Sequence, residues 1–251
     1  MHREFVRINP DSDTAVMFIH GICGTPDHFR ELIPLEQLVP DSWSVYNLLL
    51  DGHGGTVMDF AGASGETWWD QVTSVCENLM KTHKRILITG HSMGTLYALQ
   101  LAAKYPDKVQ KLFLLAVPMR PWLKPATILD LLMMVFGKLD DVSPQREALI
   151  KAAGIQTTKR LWQYVLWVPR YLDLFREIYR TEQIIESVDA DCSCYQSQRD
   201  ELVLRRSEKI LRKNRKIKIY PLKGSSHFYY CPEDREQILR DFRSWTEESH
   251  D

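Results

Sequence analysis

The feature that most constrains this chain is a repeated alternation of short apolar runs with longer segments of helical periodicity. Residues 15–20 (AVMFIH) form an apolar run of strand length, which is typical of a strand buried on both faces. Strands that alternate with helices predict a mostly parallel sheet with helices on both sides, an α/β fold. The predicted strands span 15–20, 44–50, 85–90, 109–116, 192–196 and 217–222, and the predicted helices 29–38, 66–81, 92–104, 202–213 and 232–247.

The alternation stops over residues 118–189, where only helical periodicity occurs. The helices predicted there span 128–136, 144–153, 158–168 and 171–187. Such a segment is too long to be a simple connection between a strand and a helix. It indicates either an inserted cap or a second domain, and we interpret it as a helical cap (lid) inserted in a core domain of residues 1–117 and 190–251.

Composition excludes several classes of protein. Lys and Arg total 32 against 33 Asp and Glu, a net charge of -1, so we expect no nucleic-acid partner. The basic stretch 205–218 contains apolar residues as well and is interpreted as a solvated face. Five cysteines, an odd number without zinc-ligand spacing, favour buried thiols in a reducing compartment over disulfides or a metal site.

The chain begins with charged residues instead of the apolar run of a signal peptide. It also lacks an uninterrupted apolar stretch of about 18 residues. We therefore expect a cytoplasmic protein without integral membrane contact. The sequence carries no signal for an oligomeric state.

The strongest chemical signal is GHSMG at residues 90–94, between the predicted strand 85–90 and the predicted helix 92–104. A G-x-S-x-G sequence in this setting forms a sharp turn that presents the serine side chain above the sheet. The two glycines keep side chains out of the close packing around the turn. The following helix N-terminus favours developing negative charge. Ser92 is therefore the predicted nucleophile.

A second signal is HGICG at residues 20–24, at the end of the first buried strand. Acyl transfer develops an oxyanion, which preorganised N–H groups stabilise. In proteins built on such a serine turn, one donor follows the nucleophile and the other comes from an early strand–helix loop. These would be the amides of Met93 and of either Ile22 or Cys23. We interpret His20 as bracing the loop, and Cys23 as a small side chain near the pocket because no base is marked for its thiol.

A nucleophilic serine needs a histidine to accept its proton and a carboxylate to orient that histidine. The order along the chain in this kind of site is serine, acid, histidine. Of the eight histidines, only His227 and His250 come well after the serine. Because His250 lies in the charged C-terminal tail and His227 lies in the loop just past the predicted strand 217–222, His227 is the predicted base.

The acid must come from a loop between Ser92 and His227. Asp200 directly follows the predicted strand 192–196 and is the predicted acid. Its neighbour Glu201 could compete for this role. Asp189 and Asp191 precede the strand, so we expect them at the opposite end of the sheet.

These motifs fall in the order found in the capped α/β-hydrolase fold family. GHSMG, HGICG, the DGHG turn at 51–54, the Asp200 loop and GSSH at 224–227 most resemble carboxylesterase and monoacylglycerol lipase-like serine hydrolases. The similarity extends from about residue 15 to residue 245, except for the cap. It implies a Ser92, Asp200 and His227 triad that hydrolyses esters or thioesters without a metal or organic cofactor. The DGHG turn lacks a phosphate-loop pattern and is interpreted as a structural turn near the site.

The predicted cap is rich in aromatic and methionine side chains, most of which we expect to hold the cap together. A cap over a nucleophile also excludes water and supplies an apolar wall. We therefore expect a small-molecule ester with an apolar, short-to-medium acyl group as substrate. Candidate substrate contacts are Cys23, Met119, Phe136 and Trp162. The alternatives are a thioesterase or acyltransferase with the same triad, or a non-catalytic ligand receptor with this fold.

Overall fold

The computed structural model describes residues 2–139 and 143–247. Within these ranges seven strands form one sheet in the order β1-β3-β2-β4-β5-β6-β7. Strand β1 pairs with β3 in an antiparallel manner, and all other neighbours are parallel, which confirms the predicted fold class. The strands are β1 (Phe5–Arg7), β2 (Thr14–Ile19), β3 (Ser44–Asn47), β4 (Arg85–His91), β5 (Val109–Leu115), β6 (Asp191–Ser197) and β7 (Ile217–Leu222).

The parallel register brings the chemistry-bearing loops to one edge of the sheet. Ile19 at the end of β2 pairs with Gly90 of β4, and Ser197 at the end of β6 pairs with Leu222 of β7. The loops that leave these four strands contain HGICG, Ser92, Asp200 and His227. Carboxyl ends of parallel strands at one edge are where α/β folds hold their ligands.

Eight α-helices lie in the described ranges. They are α1 (Val57–Gly62), α2 (Gly65–Met80), α3 (Met93–Lys104), α4 (Pro125–Val135), α5 (Pro144–Ala152), α6 (Val168–Ile184), α7 (Ser207–Leu211) and α8 (Pro232–Glu247). No helix of the described ranges is both long and apolar enough to cross a bilayer. Strand β7 and helix α8 occupy the predicted bounds.

Three predicted helices are wrong in form. Residues 29–38 instead contain parts of two short 3₁₀ segments, Pro26–Phe29 and Glu36–Leu38, because Pro34 lacks the N–H that an α-helix interior requires. Residues 158–168 are mainly a 3₁₀ segment, Leu161–Trp167. The predicted helix 202–213 shortens to α7.

The short form of α7 follows from contacts of its preceding loop. The N–H groups of Leu202 and Val203 donate to the Asp200 side chain at 2.7 and 2.8 Å. These backbone groups are therefore committed to a loop before the helix begins.

Two elements were not predicted. Strand β1 is short and half-exposed at the sheet edge. Helix α1 begins with a capping box, in which Thr56 and Asp59 exchange side-chain and backbone hydrogen bonds.

Two hydrophobic layers sandwich the sheet. One contains Trp68 of α2 and Leu96 of α3. The other contains Phe29, Phe113 and Phe242, with Phe113 and Phe242 in edge-to-face contact at 5.0 Å. Burial on both sides explains why every residue of β2 is buried.

Helices α4, α5 and α6 follow one another between β5 and β6. Helix α6 packs against α2 and α3, and its Leu174 and Ile178 belong to the main hydrophobic layer. In α4, by contrast, only Thr127 is buried. The segment 118–189 is thus anchored through α6, whereas α4 is largely exposed.

Candidate active site

Ser92 occupies a strained turn between β4 and α3. Its backbone has φ 51° and ψ -122°, a region that non-glycine residues rarely adopt. A Cβ on Gly94 would lie 2.0 Å from the carbonyl oxygen of Ile19, and a Cβ on Gly90 would lie 2.8 Å from the nitrogen of Thr95. The glycines at both positions are therefore required by close backbone packing, as the motif predicts.

His227 is held by Asp200. The Nδ1 atom of His227 lies 2.9 and 3.2 Å from the two carboxylate oxygens, and both side chains are only 2% exposed. The carboxylate also accepts the N–H groups of Leu202 and Val203. Because Nδ1–H donates to Asp200, Nε2 is left as the unprotonated acceptor of the neutral ring.

Glu201 has a different partner from Asp200. Its Oε2 accepts the backbone N–H of His227 at 3.0 Å. Burial lowers the pKa of His227, but the Asp200 charge and hydrogen bond, with the Glu201 charge, outweigh it and raise that pKa above its ordinary value. The two consecutive acids therefore hold and polarise one histidine.

The other candidates from the sequence lie elsewhere. Asp189 forms an ion pair with Lys216 at 2.6 Å, and Asp191 is the first residue of β6. Both are at the amino end of that strand, as expected. His250 lies outside the described residues.

Ser92 and His227 face the same cavity, which has a volume of about 680 Å³. In the part of the chain that the structure describes, no hydrogen bond joins Ser92 Oγ to the His227 ring. Catalytic pairs of this type often tighten only when substrate binds. A hydroxyl and a neutral imidazole that line one cavity are the groups that nucleophilic catalysis needs.

The loop after β2 distinguishes the two alternatives for the second oxyanion donor, Ile22 and Cys23. Cys23 has φ 56°, and its N–H donates to His53 Nε2 at 3.1 Å. Its carbonyl accepts the N–H of Gly154 at 2.8 Å. Among the described residues, no acceptor takes the N–H of Ile22 or of Met93, so Ile22 is the one of the two alternatives whose amide is free.

The remaining HGICG side chains agree with their sequence interpretation. His20 Nδ1–H donates to the Gly21 carbonyl at 2.8 Å, and its Nε2 accepts the Leu50 N–H at 3.1 Å, so His20 braces the loop. Burial raises the pKa of the Cys23 thiol to about 12. A thiol that stays protonated is a poor nucleophile.

The cavity wall is apolar and comes from both the core and the segment 118–189. Of the four candidate substrate contacts, Cys23 lines it and Met119, Phe136 and Trp162 do not. Met119 is fully buried in the core, and Trp162 is 61% exposed. The sequence indicated aromatic side chains but not which face of each helix meets the cavity. Lining residues that sequence reasoning did not single out for substrate contact include Leu131, Trp167, Tyr171, Phe175, Leu202 and Phe228.

His91 is a further residue that the sequence analysis missed. Its Nε2–H donates to the carbonyl of His227 at 3.1 Å, and its ring stacks on His28 at 3.7 Å. His28 in turn contacts the Tyr230 hydroxyl at 3.0 Å. Burial lowers the pKa of His28 to about 3, so the His28 ring that stacks on His91 behind the His227 loop is uncharged. Its only sequence signal is its place inside GHSMG.

Comparison with known families decides the assignment. The profile of the family described as serine aminopeptidase, S33 (Hydrolase_4), matches residues 10–215. The chain belongs to this family. It is a serine hydrolase with the α/β-hydrolase fold, and Ser92 is the serine in the strained turn of its GHSMG sequence.

Solved structures share the fold of this S33-family hydrolase at low sequence identity. A metagenome-derived lipolytic enzyme of the LipS and LipT pair has a TM-score of 0.74 and 19% identity, covering 98% of this chain and 97% of that one. The monoacylglycerol lipase of Paleococcus ferrophilus has a TM-score of 0.65 and 18% identity, covering 97% and 96%. The thioesterase domain from the curacin biosynthetic pathway has a TM-score of 0.60 and 16% identity, covering 98% and 93%. No curated protein sequence matches the chain significantly.

Proposed function

We propose that this S33-family hydrolase cleaves carboxylic esters with an apolar, short-to-medium acyl group through a Ser92, His227 and Asp200 triad. The observation that carries the proposal is the His227 ring, oriented by Asp200 at 2.9 Å and facing the same cavity as the strained Ser92. No metal or organic cofactor takes part in the proposed reaction.

The first half of the reaction forms an acyl-enzyme. His227 Nε2 takes the proton of Ser92 Oγ as the oxygen attacks the ester carbonyl. The N–H groups of Ile22 and Met93 donate to the oxyanion. His227 then gives the proton to the alkoxide as the bond from the carbonyl carbon to the leaving oxygen breaks, and the alcohol departs.

The second half returns the free enzyme. Water donates its proton to His227 Nε2 and attacks the acyl carbonyl, again with the oxyanion on Ile22 and Met93. Collapse of this intermediate breaks the bond to Ser92 Oγ, which recovers its proton from His227. The products are a carboxylic acid and an alcohol.

In this proposal the segment 118–189 is the cap of the core domain. Leu131 of α4, Trp167 and Tyr171 line the same cavity as Ser92 and His227. Apolar walls exclude water from the reacting centre and strengthen the electrostatic interactions within it.

The cavity chemistry favours an ester over the amino terminus of a peptide. An aminopeptidase must bind an α-ammonium group, which burial penalises unless a negative charge pairs with it. Among the described residues that line this cavity there is no Asp or Glu. A volume of about 680 Å³ is of the size that holds small-molecule ligands.

The test is a series of p-nitrophenyl esters from acetyl to dodecanoyl, with kcat/KM measured for each. We expect kcat/KM to rise from acetyl into the medium-chain range. Flat or absent activity across the series would contradict the proposal.

Two variants of α4 locate the acyl site. Leu131 lines the cavity, whereas Leu129 is 57% exposed and does not. In Leu131→Trp we expect kcat/KM for octanoyl ester to fall more than that for acetyl ester, because the indole fills acyl space. The matched control Leu129→Trp should keep the wild-type profile; an equal change in both variants would place the acyl group elsewhere.

Thioester hydrolysis or acyl transfer would use the same residues and differ in leaving group or acceptor. The shared fold with a thioesterase domain makes the thioester series worth measuring beside the esters. A higher kcat/KM for octanoyl thioester than for the matched oxygen ester would favour the thioesterase function. If adding an alcohol raises the ratio of new ester to free carboxylic acid among the products, acyl transfer would be favoured.

A further inference from the structure

Hydrogen bonds fix the backbone on both sides of Ile22. Before it, the Gly21 carbonyl accepts His20 Nδ1–H at 2.8 Å and the Gly24 N–H at 3.0 Å. After it, the Cys23 N–H donates to His53 Nε2 at 3.1 Å. Because the peptide is trans, the Ile22 N–H points away from the bonded Gly21 carbonyl.

The backbone conformation of Cys23, next to Ile22, is stable only because neighbouring groups hold it. Cys23 is left-handed at φ 56°, a conformation that is strained for a residue with a Cβ and persists only where neighbours impose it. The neighbours that hold the Cys23 backbone are His53 at its N–H and Gly154 at its carbonyl. Of these, His53 does so with a side chain, and it belongs to the DGHG turn at 51–54, which the proposed mechanism does not use.

The DGHG turn keeps the His53 ring in one orientation. His53 Nδ1–H donates to the Asp51 carbonyl at 3.1 Å, so the opposite Nε2 is the acceptor. Gly52 has φ 74°, and a Cβ there would lie 2.7 Å from the Asp59 carbonyl oxygen, so this turn requires glycine at residue 52. The ring is 6% exposed and contacts Trp68 at 5.3 Å.

Burial lowers the pKa of His53 to about 4. A lowered pKa means that the ring is neutral at every pH above that value. Nε2 therefore remains an acceptor for the Cys23 N–H under the conditions in which a histidine base can work.

We propose that His53 is a positioning residue for the oxyanion site: by accepting the Cys23 N–H it fixes the loop so that the Ile22 N–H, and not that of Cys23, joins the Met93 N–H in facing the reacting carbonyl oxygen. The inference rests on the proposed ester hydrolysis. His53 touches no reacting atom, so its effect must pass through the Cys23 backbone.

The experiment compares His53→Phe, which removes the acceptor but retains an aromatic ring, with His53→Gln, whose amide oxygen can still accept. His83→Phe is the matched control. His83 is 2% exposed and bonds to the Ser44 hydroxyl at 2.8 Å and to Leu79, and it lies in the loop before β4, at the opposite edge of the sheet from the cavity. All variants are purified as full chains and their Tm values recorded.

For His53→Phe we expect kcat for octanoyl p-nitrophenyl ester to fall roughly 10- to 100-fold, because a displaced oxyanion donor loses contact with the transition state. KM should stay within about twofold, because ground-state binding in the apolar cavity is unchanged. His53→Gln should recover most of kcat. For His83→Phe we expect a lower Tm, because buried hydrogen bonds are lost, and an unchanged kcat.

A second readout follows the loop directly. Amide hydrogen exchange at Cys23 should be faster in folded His53→Phe than in wild type, and close to wild type in His53→Gln. A wild-type protein without ester hydrolysis would overturn the proposed function. An active wild type with unchanged kcat in His53→Phe, or a kcat loss that tracks Tm equally in His53→Phe and His83→Phe, would overturn the positioning role alone.

Discussion

The Asp200 carboxylate contacts Nδ1 of His227 with both oxygens, at 2.9 and 3.2 Å. The next residue, Glu201, accepts the backbone N–H of the same histidine at 3.0 Å. Two consecutive acids thus fix the ring and the main chain of one residue. The arrangement gives each acid a separate role that mutation can distinguish.

Replacement of Asp200 should disable the base while leaving the fold intact. In Asp200→Asn the amide cannot stabilise a positively charged imidazole, and it permits the wrong tautomer. We expect kcat for ester hydrolysis to fall by about 10³- to 10⁴-fold. Steady-state kinetics measure this change. The control is Asp189→Asn, at an acid that pairs with Lys216 at the far end of β6, and its kcat should be unchanged. Comparable losses in both variants would contradict the role of Asp200.

The pH dependence should report His227. Asp200 and Glu201 outweigh burial and raise its pKa above the ordinary value of 6.5. Below that raised pKa the ring is protonated and cannot accept the Ser92 proton, so the acid limb of kcat/KM should lie above pH 6.5. The same shift stabilises the fold at pH values below 6.5, and this contribution is lost as pH rises through the raised pKa.

Glu201→Gln separates charge from hydrogen bonding at this histidine. The amide oxygen can still accept the His227 N–H, but the negative charge is gone. We expect the acid limb of the pH–rate profile to move to lower pH. Glu186→Gln, at an exposed residue, is the control and should leave the limb in place; an unmoved limb in Glu201→Gln would show that its charge does not act on the base.

The serine turn should be intolerant of side chains at its glycines. In Gly94→Ala the new methyl would meet the Ile19 carbonyl oxygen at 2.0 Å, so backbone must move. We expect the free energy of unfolding to fall by about 3 kcal/mol or more, measured by urea denaturation. Gly62→Ala is the matched control, because a Cβ there meets no atom within 4 Å. Its stability should be unchanged or slightly raised, and an equal loss in both would refute the steric argument.

The sequence predicted six of the seven strands and indicated Ser92, Asp200 and His227 as candidate site residues because local signals mark them. Apolar runs of strand length mark β2 and β4, and the GHSMG pattern places Ser92 between a strand and a helix. Because parallel strands end at one edge of the sheet, the loops that carry Asp200 and His227 are expected at the same edge as Ser92. These inferences need periodicity and chain order but no knowledge of side-chain contacts.

Residue roles that depend on tertiary contacts could not be predicted from the sequence. The role of His53 depends on a hydrogen bond to Cys23, 30 residues away along the chain, and that of Glu201 on one to His227. Met119 is buried in the core and Trp162 is exposed. The residue type alone does not indicate whether an aromatic or sulfur-containing side chain meets the cavity, the core or solvent. Pro34 inside the predicted helix 29–38 is a local signal against an α-helix there.

The central claim is that Ser92 is an activated nucleophile, and covalent labelling tests it most directly. Purified protein is treated with a fluorophosphonate, and its mass is measured before and after proteolysis. We predict the addition of one phosphonyl group, mapped to the peptide that contains Ser92, in wild type and in the exposed control Ser187→Ala. Ser92→Ala should remain unlabelled and lose ester hydrolysis. An unlabelled wild type, as a receptor with an inactive triad would give, or a Ser92→Ala protein that still labels or turns over ester, would contradict the account.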